Sequence, residues 1–300
     1  MRLRVWMLWV VLASLAGLPG AGAAQVNEAP DLGGVIDLHA HVAPETALLP
    51  FRRSVDAIEA AQIARIYGMR GMVFKEHNVE TASWAYLVSQ VVPGIELFGG
   101  IVLNRATGGI NPVAVESMAL TRGGRGRVVY MPTMDSEYYN PGSPGAVPVS
   151  SNGELLPEVY EVLEVMARHD LGLSTGHSSP EESLMLIRAA MDAGVDQVYV
   201  QHPTDGRIRM SMETMKEAAR MGALIEIELS RAGLTEQKLA DIRELGPENV
   251  VVTSDLGQPG NVTHADGFQE ALVVLREAGF SQADIDTMTR HNPARFLGLE

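Results

Sequence analysis

The chain contains no cysteine. That removes a thiolate nucleophile and any zinc–thiolate cluster. It also removes disulfides, so the fold has to be held by its core. Positive charge is scarce too. Against 37 Asp and Glu there are 23 Lys and Arg, a formal charge of −14, which disfavours nucleic acid and anionic membrane surfaces as partners. Long apolar runs are the third shortage. After Val5–Leu18 no stretch has the length of a membrane span.

The one apolar run has the form of an export signal. Arg2 and Arg4 form a basic start, Val5–Leu18 an apolar middle that ends at Gly17, Pro19 and Gly20, and Ala21-Gly22-Ala23 a small-residue cleavage site. Residues 1–24 are therefore expected to be removed, leaving 25–300 as a periplasmic or secreted protein with no membrane span. Loss of the two arginines takes the formal charge to −16.

In the rest of the chain, short Val- and Ile-rich runs alternate with amphipathic stretches. Eight strands are expected, at Val35–Leu38, Gly71–Phe74, Leu97–Leu103, Arg127–Met131, Leu171–Ser174, Gln197–Val200, Ala223–Leu229 and Val250–Thr253. Helical patterns follow each of them. Ser179-Pro180-Glu181-Glu182 is a capping box with Pro at the first helical position, and Gly68, Gly194, Gly222, Gly246 and Gly279 each follow a helical run. Eight strand–helix units in a chain of this length indicate an α/β fold, a single-domain (β/α)8 TIM barrel. A doubly wound open sheet would not bring the ends of its first, fifth, sixth and eighth strands together. The long connection 133–153, with Pro141, Pro144 and Pro148, lies on the face where active sites of this fold sit, as a lid or a plain excursion.

Those strand ends carry the chemistry. The first has Asp37, His39 and His41; two residues apart in a strand means one shared face. The second ends in Lys75-Glu76-His77, the fifth in His177, the sixth in His202 and the eighth in Asp255. Neutral imidazoles and a carboxylate converging on a barrel mouth suit one or two divalent ions, zinc first, with manganese, iron or cobalt as alternatives. Such a site generates a hydroxide nucleophile near neutral pH, and Asp255 is placed to take its proton. His77 and Glu228 are candidate substrate contacts. Glu226 shares the face of Glu228, and the pair is read first as structural, bonded to Arg231 or Arg207, with contact to a cationic ligand group as the alternative. His169 and His291 are read as structural, and His264 as a loop residue.

The order H-x-H, His, His, Asp, with the ending His291-Asn292-Pro293-Ala294-Arg295, resembles the amidohydrolase superfamily in its phosphotriesterase-like and related branches. The resemblance spans nearly the whole of 25–300. It implies that His39, His41 and Asp255 hold a buried metal and that His177 and His202 hold a second; in a mononuclear site His202 becomes a catalytic or substrate-orienting group. Many relatives bridge two metals from strand four, which here ends Tyr130-Met131-Pro132 with no such residue. A carboxylated Lys75 from strand two is the expected bridge, with a substrate-binding ammonium as the alternative. The reaction implied is metal-dependent hydrolysis of an amide, lactone or other ester, or phosphoester bond in a small molecule. A mononuclear decarboxylase or other lyase, and a non-catalytic metal- or ligand-binding barrel, are the other readings. A phosphoesterase of the PHP type would need a histidine two residues after Asp255, where Gly257 stands. A homo-oligomer is left open.

Overall fold

The computed structural model describes residues 31–299 apart from 50 and 231. The expected signal segment lies outside the described residues. Among the described residues no helix is long and apolar enough to cross a membrane.

Eight parallel strands form one sheet in sequence order: β1 (Ile36–His41), β2 (Gly71–Lys75), β3 (Glu96–Val102), β4 (Gly126–Tyr130), β5 (Gly172–Ser174), β6 (Val198–Val200), β7 (Leu224–Glu228) and β8 (Val250–Thr253). All eight fall where the apolar runs place them. Each is followed by a helix: α1 (Ala57–Ile66), α2 (Ala82–Val91), α3 (Pro112–Ala119), α4 (Pro157–Arg168), α5 (Pro180–Ala193), α6 (Met212–Arg220), α7 (Glu236–Leu245) and α8 (His264–Glu277). The Ser179–Glu182 capping box is present and Gly194 closes α5 in the left-handed region. His264 is the first residue of α8, not part of the loop before it.

The barrel closes at the β1–β8 seam. Asp255 N donates to His39 O at 2.9 Å and His41 N to Leu256 O at 3.0 Å. Asp37 reinforces the seam, since its Oδ1 accepts the backbone N–H groups of His39 and Ser254, each at 3.0 Å. Gly257 passes so close that a β-carbon there would lie 2.0 Å from His41 O, at a φ of +110°.

Two apolar layers result. Most core residues pack between strands and helices. A smaller cluster fills the barrel itself: Ile36, Leu38, Val73, Phe98, Val128, Tyr130, Tyr199, Leu224 and Val251, with Ala294, Phe296 and Leu297 closing its lower end. These last come from α10 (Asn292–Phe296) and its capping residue Leu297; α10 comes after the short helix α9 (Gln282–Asp286). The Asn-Pro-Ala-Arg ending thus has a structural task. Asn292 Nδ2 meets the carbonyls of Pro247, Glu248 and Val250 at 3.2, 3.2 and 2.7 Å and holds the plug under β8. Gly172 leaves room for it, because a β-carbon there would come within 2.4 Å of the Phe296 ring.

Strand β1 does not alternate simply. Its register against β2 shifts between Asp37 and Ala40. Ile36 and Leu38 lie in the inner cluster, yet Ala40 and Val42 lie in the outer one. The irregularity changes which parity faces inward, so His39 and His41 turn towards the barrel axis.

Candidate metal centre

His39, His41 and Asp255 come together at the top of this seam. Asp255 Oδ1 lies 3.2 Å from His39 Nε2 and 3.1 Å from His41 Nε2. These three residues present ligand atoms within 4.8 Å of one another. The partners on the far side of each ring fix the tautomers. His39 Nδ1 is 2.8 Å from Glu226 Oε1, and His41 Nδ1 is 3.2 Å from the Lys75 carbonyl. A carboxylate and a carbonyl only accept, so both Nδ1 atoms carry the proton. Both Nε2 lone pairs then face a carboxylate oxygen. Burial, with Lys75 beside it, lowers the His39 imidazole's affinity for a second proton; burial and the nearby Arg53 lower that of His41 further. Two lone-pair nitrogens and an anionic oxygen at this separation repel one another unless a cation joins them; Lys75 Nζ, 2.8 Å from His39 Nε2, meets the first nitrogen, and a metal ion would join all three.

His202 and His177 complete the arc. The His39 and His202 rings are 5.1 Å apart and the His177 and His202 rings 5.4 Å. His202 Nε2 is 3.8 Å from Asp255 Oδ2. His177 is buried, its Nδ1 has no hydrogen-bond partner, and burial keeps the ring neutral, as it does for His77. A buried imidazole nitrogen left unpaired fits a ligand atom better than a structural one. His202 and Asp255 both have left-handed backbones, with φ of 49° and 45°. That conformation costs a non-glycine residue about 1–2 kcal/mol, and it turns the chain just after β6 and β8 so that both side chains enter the mouth.

Lys75 is fully buried among these groups. Its Nζ lies 2.8 Å from His39 Nε2 and 4.5 Å above the Tyr130 ring. Burial outweighs the attraction of Asp255 and Glu226 and brings the ammonium from 10.5 down to about 8. β4 ends at Tyr130, and Asp135, further on, accepts from Arg105 N at 2.9 Å.

Glu226 has a more specific place than the expected arginine pair: Arg231 lies outside the described residues, and among the described residues Glu226 pairs with histidines. Its Oε1 meets His39 Nδ1 and accepts from Thr253 Oγ1 at 2.9 Å, while its Oε2 accepts from His202 N at 2.8 Å. Burial would raise its carboxyl, but His39 and His202 hold it down to about 2. Glu226 thus orients two of the candidate ligands through their far sides. Its strand neighbour Glu228 borders the cavity and pairs with Lys238 at 2.9 Å. Asp255 is held well below the usual carboxylate range by His39, His202 and His41 despite its burial, and Ser230 Oγ donates to its Oδ2 at 2.8 Å.

A cavity of about 730 Å³ opens over the cluster, lined among others by His41, His77, His177, His202, Asp255 and Arg53. The 133–153 connection forms part of its wall through Met134 and Tyr139, and the Tyr139 ring packs 4.2 Å from that of His177. A hairpin of Ser150–Ser151 and Glu154–Leu155 ends that connection. Three other histidines lie outside the cluster. His264 Nε2 meets the carbonyls of His41 and Leu256, each at 3.1 Å, and braces the seam. His169 ends α4 beside Glu116, and His291 precedes α10.

A family model matches residues 34–226, more than half of the chain, which takes in every candidate ligand except Asp255. The chain belongs to a family of unknown function, DUF6282. No curated protein matches it. Among solved structures, this member of the family is similar to a mutant organophosphorus hydrolase from Deinococcus radiodurans at 17% identity, with 88% of this chain and 93% of that one covered and a TM-score of 0.59. An amidohydrolase from Pseudomonas aeruginosa is similar at 12% identity, over 88% and 95% of the two chains, with a TM-score of 0.61. The probable dipeptidase PvdM from Pseudomonas aeruginosa is similar at 11% identity, over 88% and 94%, with a TM-score of 0.62. At these identities the likeness is one of fold. It is the barrel that the resemblance to the amidohydrolase superfamily implied.

Proposed function

We propose that this protein is a metal-dependent hydrolase of small molecules, acting on an amide, lactone or other ester, or phosphoester bond. One observation carries the reading: His39 and His41 keep their protons on the far Nδ1 atoms and turn both Nε2 atoms onto one Asp255 carboxylate oxygen, at 3.2 and 3.1 Å. His39, His41 and Asp255 would hold one divalent ion, zinc by preference, and His177 and His202 a second. The names of the fold neighbours, an organophosphorus hydrolase, an amidohydrolase and a probable dipeptidase, support hydrolysis as the reaction class.

A bound divalent ion supplies Lewis-acid polarisation and a lowered water pKa. The protein's own groups do the rest. Asp255, ionised and steadied by Ser230, takes a proton from the attacking water and returns it to the leaving group. Glu226 keeps the His39 ring and the His202 backbone in place. Lys75 would serve as the bridge after carboxylation: its amine attacks CO2, a C–N bond forms and the amine proton leaves to solvent. With a pKa of about 8, roughly a tenth of the amine is already neutral at pH 7. The N-terminal pattern at 1–24 supports an exported protein, periplasmic or secreted, with 25–300 as the mature domain.

Elemental analysis of wild type and Lys75→Ala tests the reading. Near two ions per chain, falling to one or none in the variant, is expected. About one ion in both would move Lys75 to substrate binding and favour a mononuclear lyase. No retained metal in protein produced with zinc or manganese would overturn the hydrolase.

A further inference from the structure

Arg53 is a buried cation with too few partners. It lies between β1 and α1, where Ser54 N donates to Gly257 O at 2.9 Å and Ala43 N to Val55 O at 2.9 Å. The residue is 8% exposed and its side chain is fully buried. Its Nη2 donates to Glu76 Oε2 at 3.2 Å, but Nε and Nη1, also out of water, have no partner. A structural arginine–carboxylate pair normally closes with two parallel bonds. Here Glu76 Oε1 is unpaired as well, so the pair holds the guanidinium without satisfying it. Leaving most of its five donors idle is costly.

The position of Arg53 says what the donors are for. Arg53 borders the cavity with His41, His77 and Asp255, and the half-exposed Phe51 ring covers its guanidinium at 5.3 Å. His77 adds a donor to the same wall. Asn104 Nδ2 donates to Thr133 Oγ1 at 3.0 Å, and that hydroxyl lies 2.9 Å from His77 Nδ1. His77 Nδ1 is the one acceptor beside that hydroxyl among the described residues, and a hydroxyl proton given to it leaves the His77 proton on Nε2. Besides Glu76, the carboxylates whose charge Arg53 feels are Asp255 and the exposed Glu45. A metal at Asp255 neutralises the first, and water screens the second.

We propose that Arg53 and His77 form an oxyanion-binding subsite beside the metal ligands, so that the substrate carries a carboxylate or phosphate group, which reaches Arg53 when Phe51 swings aside. The subsite rests on the hydrolase reading only for the position of the reacting bond. Calorimetric titration of the zinc-loaded full chain with glutarate, inorganic phosphate and the neutral glutaramide tests it. One anion binds and the diamide does not; the tighter of the two anions identifies the class. The double variant Arg53→Gln/Glu76→Gln keeps a buried pair of the same shape without charge, and it weakens anion binding about tenfold or more while metal content stays the same. Phe51→Ala leaves the pair intact and tightens binding several-fold. No anion binding by wild type, equal affinity in the double variant, or unchanged or weaker binding in Phe51→Ala overturns the proposal. Hydrolysis of mono-4-nitrophenyl glutarate against 4-nitrophenyl acetate is measured in parallel. If neither ester is cleaved the hydrolase reading suffers, and the titrations still decide the role of Arg53.

Discussion

Glu226→Gln is the most informative single change at the centre. The side chain keeps its shape, so packing is preserved, but its hydrogen bonding cannot be. Oε1 meets His39 Nδ1–H and Thr253 Oγ–H, while Oε2 accepts the His202 backbone N–H. A glutamine has one acceptor oxygen. Whichever way the amide turns, its NH2 faces an N–H, and one buried donor loses its partner. That costs about 1–3 kcal/mol. If the oxygen stays with His39, the His202 turn loosens. If it turns to His202, the His39 ring is no longer held with Nε2 towards Asp255. Either outcome falls on a metal ligand, and a lost orienting carboxylate typically lowers metal affinity about 10–100-fold, the same order as the hydrogen-bond cost. The assay is zinc competition against a chelator of known affinity, with circular dichroism to confirm the fold. Glu228→Gln is the control, since Glu228 pairs with Lys238 and touches no candidate ligand; its zinc affinity should match wild type. Wild-type affinity in Glu226→Gln, or an equal loss in Glu228→Gln, would show that Glu226 does not orient the ligands.

The buried imidazoles make a pH prediction for the metal-free protein. Burial lowers His39, His41, His77 and His177 below the usual 6.5. The unfolded chain therefore binds more protons than the folded one below pH 6.5, and stability is lost as pH falls through that range. Denaturant unfolding at pH 7.5 and pH 5.5 should show it, with a smaller loss when zinc is bound; a flat profile without metal would refute it. Gly172→Ala places a methyl group against the Phe296 ring and should destabilise the barrel by about 1–3 kcal/mol, read by chemical denaturation. An unchanged midpoint would mean that the plug yields without cost.

Much of the architecture is written in local pattern. The eight strands are short apolar runs with turn residues at both ends, and most of the helices between them carry side-chain caps that need no tertiary information. The gathering of the candidate ligands was legible for a related reason, because a parallel barrel brings every strand's C-terminal end to one rim. What stayed hidden depends on contacts between strands. Parity says that His39 and His41 share a face, but not which face; the shift between Asp37 and Ala40 decides that, and no residue type announces it. Parity likewise puts Glu226 and Glu228 together. Their roles separate only because the left-handed turn at His202 brings its backbone N–H onto Glu226 while α7 brings Lys238 to Glu228. The two acids differ by one step along the barrel axis. Glu226, one layer deeper, reaches the far side of the ligand rings, and Glu228, at the rim, reaches the helix shell and the cavity. Depth along the strand is therefore what distinguishes a residue that orients the ligands from one that can meet a substrate, and the zinc affinities of Glu226→Gln and Glu228→Gln measure that difference directly.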